Sequence, residues 1–182
     1  MWNLVYKGKL LAIEKHSEKG WERAIRPPGV RLFIEDESGK ILLTREFRHE
    51  QNDFDFRLPG GKVFDDLSDE FFACRADKNL MNDAVLSACK REAKEEAGIE
   101  SENESWNILS KSTLGATVEW DLYYAQMKIS DHHIGEQDLK EDETEHGIEI
   151  AFYTKEEILN IIQDGKIGEE RTVAFLMSHI FA

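Results

Sequence analysis

Three glutamates, Glu92, Glu95 and Glu96, crowd into the stretch "KREAKEEAGIE" and stop at Gly98. On a helix, Glu92 and Glu96 lie one turn apart on one face, with Glu95 beside them. Like charges so placed repel by about 0.2–0.5 kcal/mol per pair. A face of this kind holds together when a cation sits on it. Oxygen ligands select hard divalent ions such as magnesium or manganese, which bridge protein carboxylates to phosphates. A purely solvated acidic face is the competing explanation. The "LPGG" turn at 58–61 and Arg91 directly before Glu92 weigh against it.

Those carboxylates need a scaffold. Val85, Cys89, Ala93 and Ala97 recur every four residues, so the spacing predicts a helix from Ala84 to about Ala97. Asn82 or Asp83 is the expected cap and Gly98 the stop. Earlier, "LLAIEK" and "WERAIR" read as short strands around "HSEKG". "VRLFIED" and "ILLTREFR" read as a hairpin over "SGK", and "DFDFR" as a further strand. "ILSKST", "EWDLYYAQMKI" and "IEIAFY" return to strand composition. "KEEILNIIQDG" is an amphipathic helix with Ile158, Ile161 and Ile162 inward, and "EERTVAFLMSHIFA" a closing helix. Strands first, a helix midway and helices last imply an α/β chain of α+β type, a mixed sheet between helices and not a doubly wound fold.

The chain has 182 residues, 41% of them hydrophobic, enough for a proper core. A net charge of −14 disfavours nucleic-acid backbones and anionic membranes as partners. Cys74 and Cys89, with no apolar leader, imply reduced thiols and a cytoplasmic protein.

"REAKEEAGI", Arg91 to Ile99, resembles the second half of the Nudix box, GX5EX7REUXEEXGU with U apolar, and "LPGGKV" resembles its opening turn, with Gly61 as the box glycine. The chain departs from the pattern at two points. From Gly61 to Asp83 there are 22 positions where six are expected, which places an inserted loop at about 64–82. Asp83 stands where the box has a glutamate, and its expected role is structural, as a cap or a partner of Arg91. The rest of the chain is similar to the ADP-ribose and nucleotide-sugar pyrophosphatase branch. That likeness implies an α/β/α sandwich over 28–182 and an N-terminal antiparallel β subdomain over 1–27.

The resemblance also implies roles. Glu92, Glu95 and Glu96 would hold Mg²⁺ or Mn²⁺, with Gly60 in the turn as a further metal contact and Glu95 also in the catalytic set. Of the late acidic run "EDETEHG", Glu143 and Glu145 fit the branch's paired glutamates, Glu143 as the base and Glu145 reaching the metal; Glu141 fits less well. Arg48 resembles the branch's substrate-contacting arginine, with Arg45 and Arg57 as alternatives. Trp21, or Trp2, is the candidate for base stacking. His132 and His133 read as a polar loop. An EF-hand over 138–149 fails, because Lys140 takes a ligand position and Glu143 replaces the glycine. The implied activity is hydrolysis of a nucleoside diphosphate linked to X, with ADP-ribose or another nucleotide sugar leading, by a homodimer. Dinucleotide polyphosphates, modified nucleoside triphosphates, capped RNA and a ligand sensor without turnover are the alternatives.

Overall fold

The computed structural model describes residues 1–48, 52–102, 105–130, 135–139 and 147–180. Two sheets form. The first runs β1 (Trp2–Lys7), β2 (Ala12–His16) and β3 (Glu22–Ile25) antiparallel, then takes β8 (Val118–Glu119) in parallel beside β3. The N-terminal strands therefore share their sheet with a piece of chain from far downstream.

The second sheet is mixed, in the order β10 (Ile148–Tyr153), β5 (Ile41–Arg48), β4 (Gly29–Asp36), β9 (Leu122–Ile129), β7 (Asn107–Ser112). Its alternation sorts side chains onto two faces. Leu32, Ile34, Leu42, Ala125 and Met127 pack beneath helix α2 (Lys78–Ala97). Phe33, Ile41, Leu43, Leu122 and Tyr124 pack against α3 (Lys155–Gln163) and α4 (Glu170–Ile180). The result is the expected helix–sheet–helix sandwich. Val85, Cys89, Ala93 and Ala97 are fully buried, as their spacing predicts.

The β4–β5 hairpin does not stay paired. The two strands meet only at Glu35 and Ile41, beside the turn, and then splay. β6 (Asp53–Arg57) pairs with β5 over Thr44–Arg48 on the side that β4 has left. The turn after β6 then runs along β4: the Val30 amide donates to the Gly61 carbonyl, and the Leu32 amide to the Pro59 carbonyl, at 2.9 and 2.8 Å. This splay opens the cleft described below.

Two expectations about the middle of the chain are corrected. The segment read as an inserted loop folds into α1 (Asp69–Ala76) and the first turn of α2. Ser68 caps α1 through the Phe71 amide, while Phe71 and Cys74 anchor it in the core. Helix α2 begins six residues before the predicted Ala84, because Asp77 takes the capping role and accepts from the amides of Asn79 and Leu80. Asp83 sits exposed within the helix, so neither it nor Asn82 is a cap. Nor does Asp83 orient Arg91, which pairs with Glu92 and Glu95. Among the described residues, no helix is long and apolar enough to cross a membrane.

Candidate active site

Helix α2 carries the glutamates against the Pro-Gly-Gly turn. The Gly60 amide donates to Glu96 Oε2 at 2.8 Å. Gly60 has φ +146°, and a Cβ there would lie 2.2 Å from the Val30 carbonyl oxygen, so only glycine fits. At Gly61 a Cβ would meet Glu92 Oε1 at 2.4 Å, so the absent side chain is what lets that carboxylate reach the turn. Glu92 and Glu96 are almost wholly buried, at 4% and 9% exposure. Arg91 clamps the assembly. Its guanidinium meets Glu92 at 2.7 Å and Glu95 at 3.2 Å, and donates to the Lys62 carbonyl at 2.6 Å. Burying carboxylates is costly unless they are paired or coordinate a cation. This turn and Arg91 provide part of that compensation.

Beside the glutamates lies a cleft of about 600 Å³ in the splay between β4 and β5. Among the described residues, five cations line it, Arg26, Arg31, Arg48, Arg57 and Lys62, against three acids, Glu46, Glu96 and Glu169. The excess among these lining residues is positive in a chain of net charge −14. Arg48 and Arg57, both named as phosphate contacts, line the cleft; Arg48 is held by Glu46 and Arg57 by the buried Asp55, each at 2.5 Å. Arg45 does not. Three residues before Arg48 on β5, it points to the opposite face, pairs with Glu149 at 2.7 Å and lies over the Phe54 ring.

Among the cleft residues that sequence reasoning missed are Arg31, Glu169 and Trp120. Arg31 forms a two-pronged pair with Glu169, at 2.8 and 3.2 Å, across 138 positions of chain. Trp120 lines the cleft with the Arg26 and Arg171 guanidiniums 4.3 and 4.4 Å from its ring centre. Parallel strands begin at the same end, so Trp120, just before β9, lies beside the prolines just before β4. The tryptophan itself was the only available signal, and it means little until that pairing is known. Trp21, the expected stacking residue, is 58% exposed on the N-terminal sheet beneath Lys19, outside the cleft of its own chain, and Trp2 packs on His16 and Arg23.

Burial alone would raise the Glu169 carboxyl pKa. The Arg31 charge, with hydrogen bonds from Arg31 and Thr172, outweighs it and holds the group below the usual carboxylate value. A carboxyl depressed in the folded state stabilises the protein above its unfolded pKa, and that contribution is lost as pH falls through the folded value. Glu169→Gln is therefore expected to flatten the loss of stability below about pH 4.5. Urea unfolding at pH 7 and pH 3 checks this; equal acid slopes in wild type and variant would contradict it.

The late loop approaches the same helix end. The Gly135 amide donates to the Gly98 carbonyl at 3.2 Å, the Asp138 amide to the Glu95 carbonyl at 2.9 Å, and Gln137 Nε2 to the Glu96 carbonyl. Gly98, at φ +62°, and Gly135 touch backbone to backbone. Glu141, Glu143, Glu145 and the pair His132–His133 lie outside the described residues.

The donor set fits a hard divalent cation in kind: oxygen ligands on one helix face, nearly buried, beside a cationic cleft. Among the described residues, no group of three acidic, histidine or cysteine side chains is arranged around one such ion.

The NUDIX domain model matches residues 25–173. A solved structure described as an ADP compounds hydrolase shares the fold at a TM-score of 0.62 and 17% identity, over 97% of this chain and 90% of that one. No curated protein sequence matches this chain.

Proposed function

The chain belongs to the Nudix hydrolase family, and on that premise we propose that it is a metal-dependent hydrolase splitting the diphosphate of a nucleoside diphosphate linked to X. ADP-ribose or another nucleotide sugar is the leading substrate, with a nucleoside monophosphate and a sugar phosphate as products. The observation that carries this reading is the joining of two opposite environments. A buried carboxylate face on α2 and an arginine-rich cleft meet at one glycine turn. A diphosphate needs both, since arginine forks match its oxygens and carboxylates hold the ion that neutralises it. The ADP compounds hydrolase with the same fold supports an adenine diphosphate.

Glu92, Glu95 and Glu96, with Gly60 and Glu145, would hold Mg²⁺ or Mn²⁺, whose chemistry is to neutralise the diphosphate and acidify water. Arg48 and Arg57 orient the phosphates. Glu143 takes a proton from the attacking water as its oxygen bonds to phosphorus and the bridging P–O bond breaks, leaving the bridging oxygen on the departing phosphate. The docking of residues 135–138 on the end of α2 supports a base arriving from this loop. The test is a screen of ADP-ribose, nucleotide sugars and dinucleotides with magnesium and with manganese, the products identified by mass. Metal-independent turnover, or none on any diphosphate, would overturn the reading. The two free, buried cysteines agree with a cytoplasmic setting.

The protein is expected to act as a homodimer. β1 is an edge strand with Leu4, Val5 and Tyr6 about half exposed, and such an edge calls for cover. A two-fold interface there would also bring Trp21 of one protomer toward its partner. Light scattering at micromolar concentration should give about twice the 21.0 kDa chain mass, and deleting residues 1–26 should remove both dimer and activity. A monomer with full turnover would sink the assignment, and Trp21 with it.

A further inference from the structure

The segment that interrupts the box builds one wall of a second cavity, of about 570 Å³. From this segment come Phe71, Arg75, Lys78 and Met81; facing them are Arg23 on β3 and Lys111 on β7. The cavity adjoins the diphosphate cleft, and Arg26 and Pro28 line both. Its lining combines an apolar part, Phe71, Met81 and Tyr123, with cationic side chains.

The charge balance is the informative feature. Among the described residues, five cations line the cavity against two acids, Glu119 and Asp121. Much of the charge is already committed. Arg23 and Arg75 share Glu14 and Glu119 in a four-membered network with contacts from 2.5 to 3.2 Å, and Lys111 pairs with Asp121. Even with Glu14 counted among the acids, two positive charges are left over. They correspond to Lys78 and Arg26, neither of which has an ion pair among the described residues. In addition, Arg23 Nε is a buried donor with no acceptor. A protein of net charge −14 that keeps two spare cations in one cavity is built for an anion. A phosphomonoester matches this surplus, with a charge of about −1.5 to −2 and three acceptor oxygens.

We propose that this cavity binds a phosphomonoester carried on one terminal ring of the substrate, so that the enzyme prefers nucleoside diphosphate compounds bearing a second phosphate away from the cleaved linkage. The ring lies on the apolar part of the lining, the second phosphate meets Lys78 and Arg23, and Arg26 stands between the two subsites. The proposal rests on the diphosphate reading of the neighbouring cleft, and measuring binding without turnover keeps the two separable.

The experiment compares binding, by calorimetry without metal, of adenosine 3′,5′-bisphosphate with AMP and of ribose 1,5-bisphosphate with ribose 5-phosphate. In wild type at least one bisphosphate should bind about tenfold more tightly than its monophosphate, as expected for charge-assisted hydrogen bonds. Lys78→Glu should erase this advantage and leave monophosphate affinity unchanged. Lys78 is exposed at the first position of α2, where an acid suits the helix end, so the variant should fold. Arg48→Ala should weaken both members of each pair alike. The proposal is wrong if neither pair shows an advantage, if the advantage survives Lys78→Glu, or if Arg48→Ala removes it. The expected binding pattern without hydrolysis of any diphosphate would instead overturn the cleft reading and leave this pocket standing.

Discussion

Glu96→Gln is expected to remove most of the activity while leaving the fold in place. The side chain accepts the Gly60 amide through Oε2 at 2.8 Å, and a glutamine oxygen can accept that bond equally well. The turn should therefore keep its shape. The change removes one negative charge from a nearly buried face proposed to hold a divalent ion. Charge stabilisation by such an ion is worth several kcal/mol, so a loss of about 10²–10³-fold in kcat is expected. Stability without metal should hold or rise slightly, as one carboxylate repulsion on the helix is relieved. The measurements are steady-state kinetics across a magnesium titration and thermal unfolding without metal. A variant with wild-type turnover and unchanged metal dependence would show that Glu96 only braces the turn.

Glu143→Gln should lower kcat far more than it weakens substrate binding, because a general base acts in the transition state. The expected loss is about 10²–10⁴-fold. Residues 135–138 bring the loop to the carbonyls of Glu95, Glu96 and Gly98, at the end of the helix that carries the glutamates. Glu145→Gln is the matched control. A larger loss in Glu145→Gln would exchange the two roles. No loss in either would place the base elsewhere and make the loop a cover for the cleft. Separate determination of kcat and of substrate affinity, the latter by calorimetry with calcium in place of the catalytic ion, distinguishes these outcomes.

The parts of this fold that were legible in the sequence are those with a strong local period. β4, β5 and β9 alternate between two buried faces, and the stripe from Val85 to Ala97 repeats every four residues. Helix α1 was hidden because it is short and has no marked apolar stripe; Phe71 and Cys74 alone are buried in it. The first turn of α2 is exposed except for Met81 and carries no pattern. β1 buries little, and β8 is two residues long, defined only by its partner β3. The site divides in the same way. Glu92, Glu95 and Glu96 lie together in sequence and could be read there. Arg31, Glu169 and Trp120 reach the cleft only through the parallel pairing of β4 with β9 and the return of the chain before α4, neither of which leaves a local mark.

The pairing of β4 with β9 also bears on the order in which the molecule comes into being. Gly29 lies opposite Leu122, so the centre of the main sheet closes a loop of about 93 residues. Such non-local contacts place the chain among slow folders. They also explain why the extra helix was easy to accommodate: about 16 more residues in a loop already this long raise its closure entropy by about 0.2 kcal/mol. During synthesis the three helix glutamates leave the ribosome well before β9 does. A nascent chain thus carries its carboxylates for some time without the cleft wall opposite them, and that wall is completed only when its last third has been made.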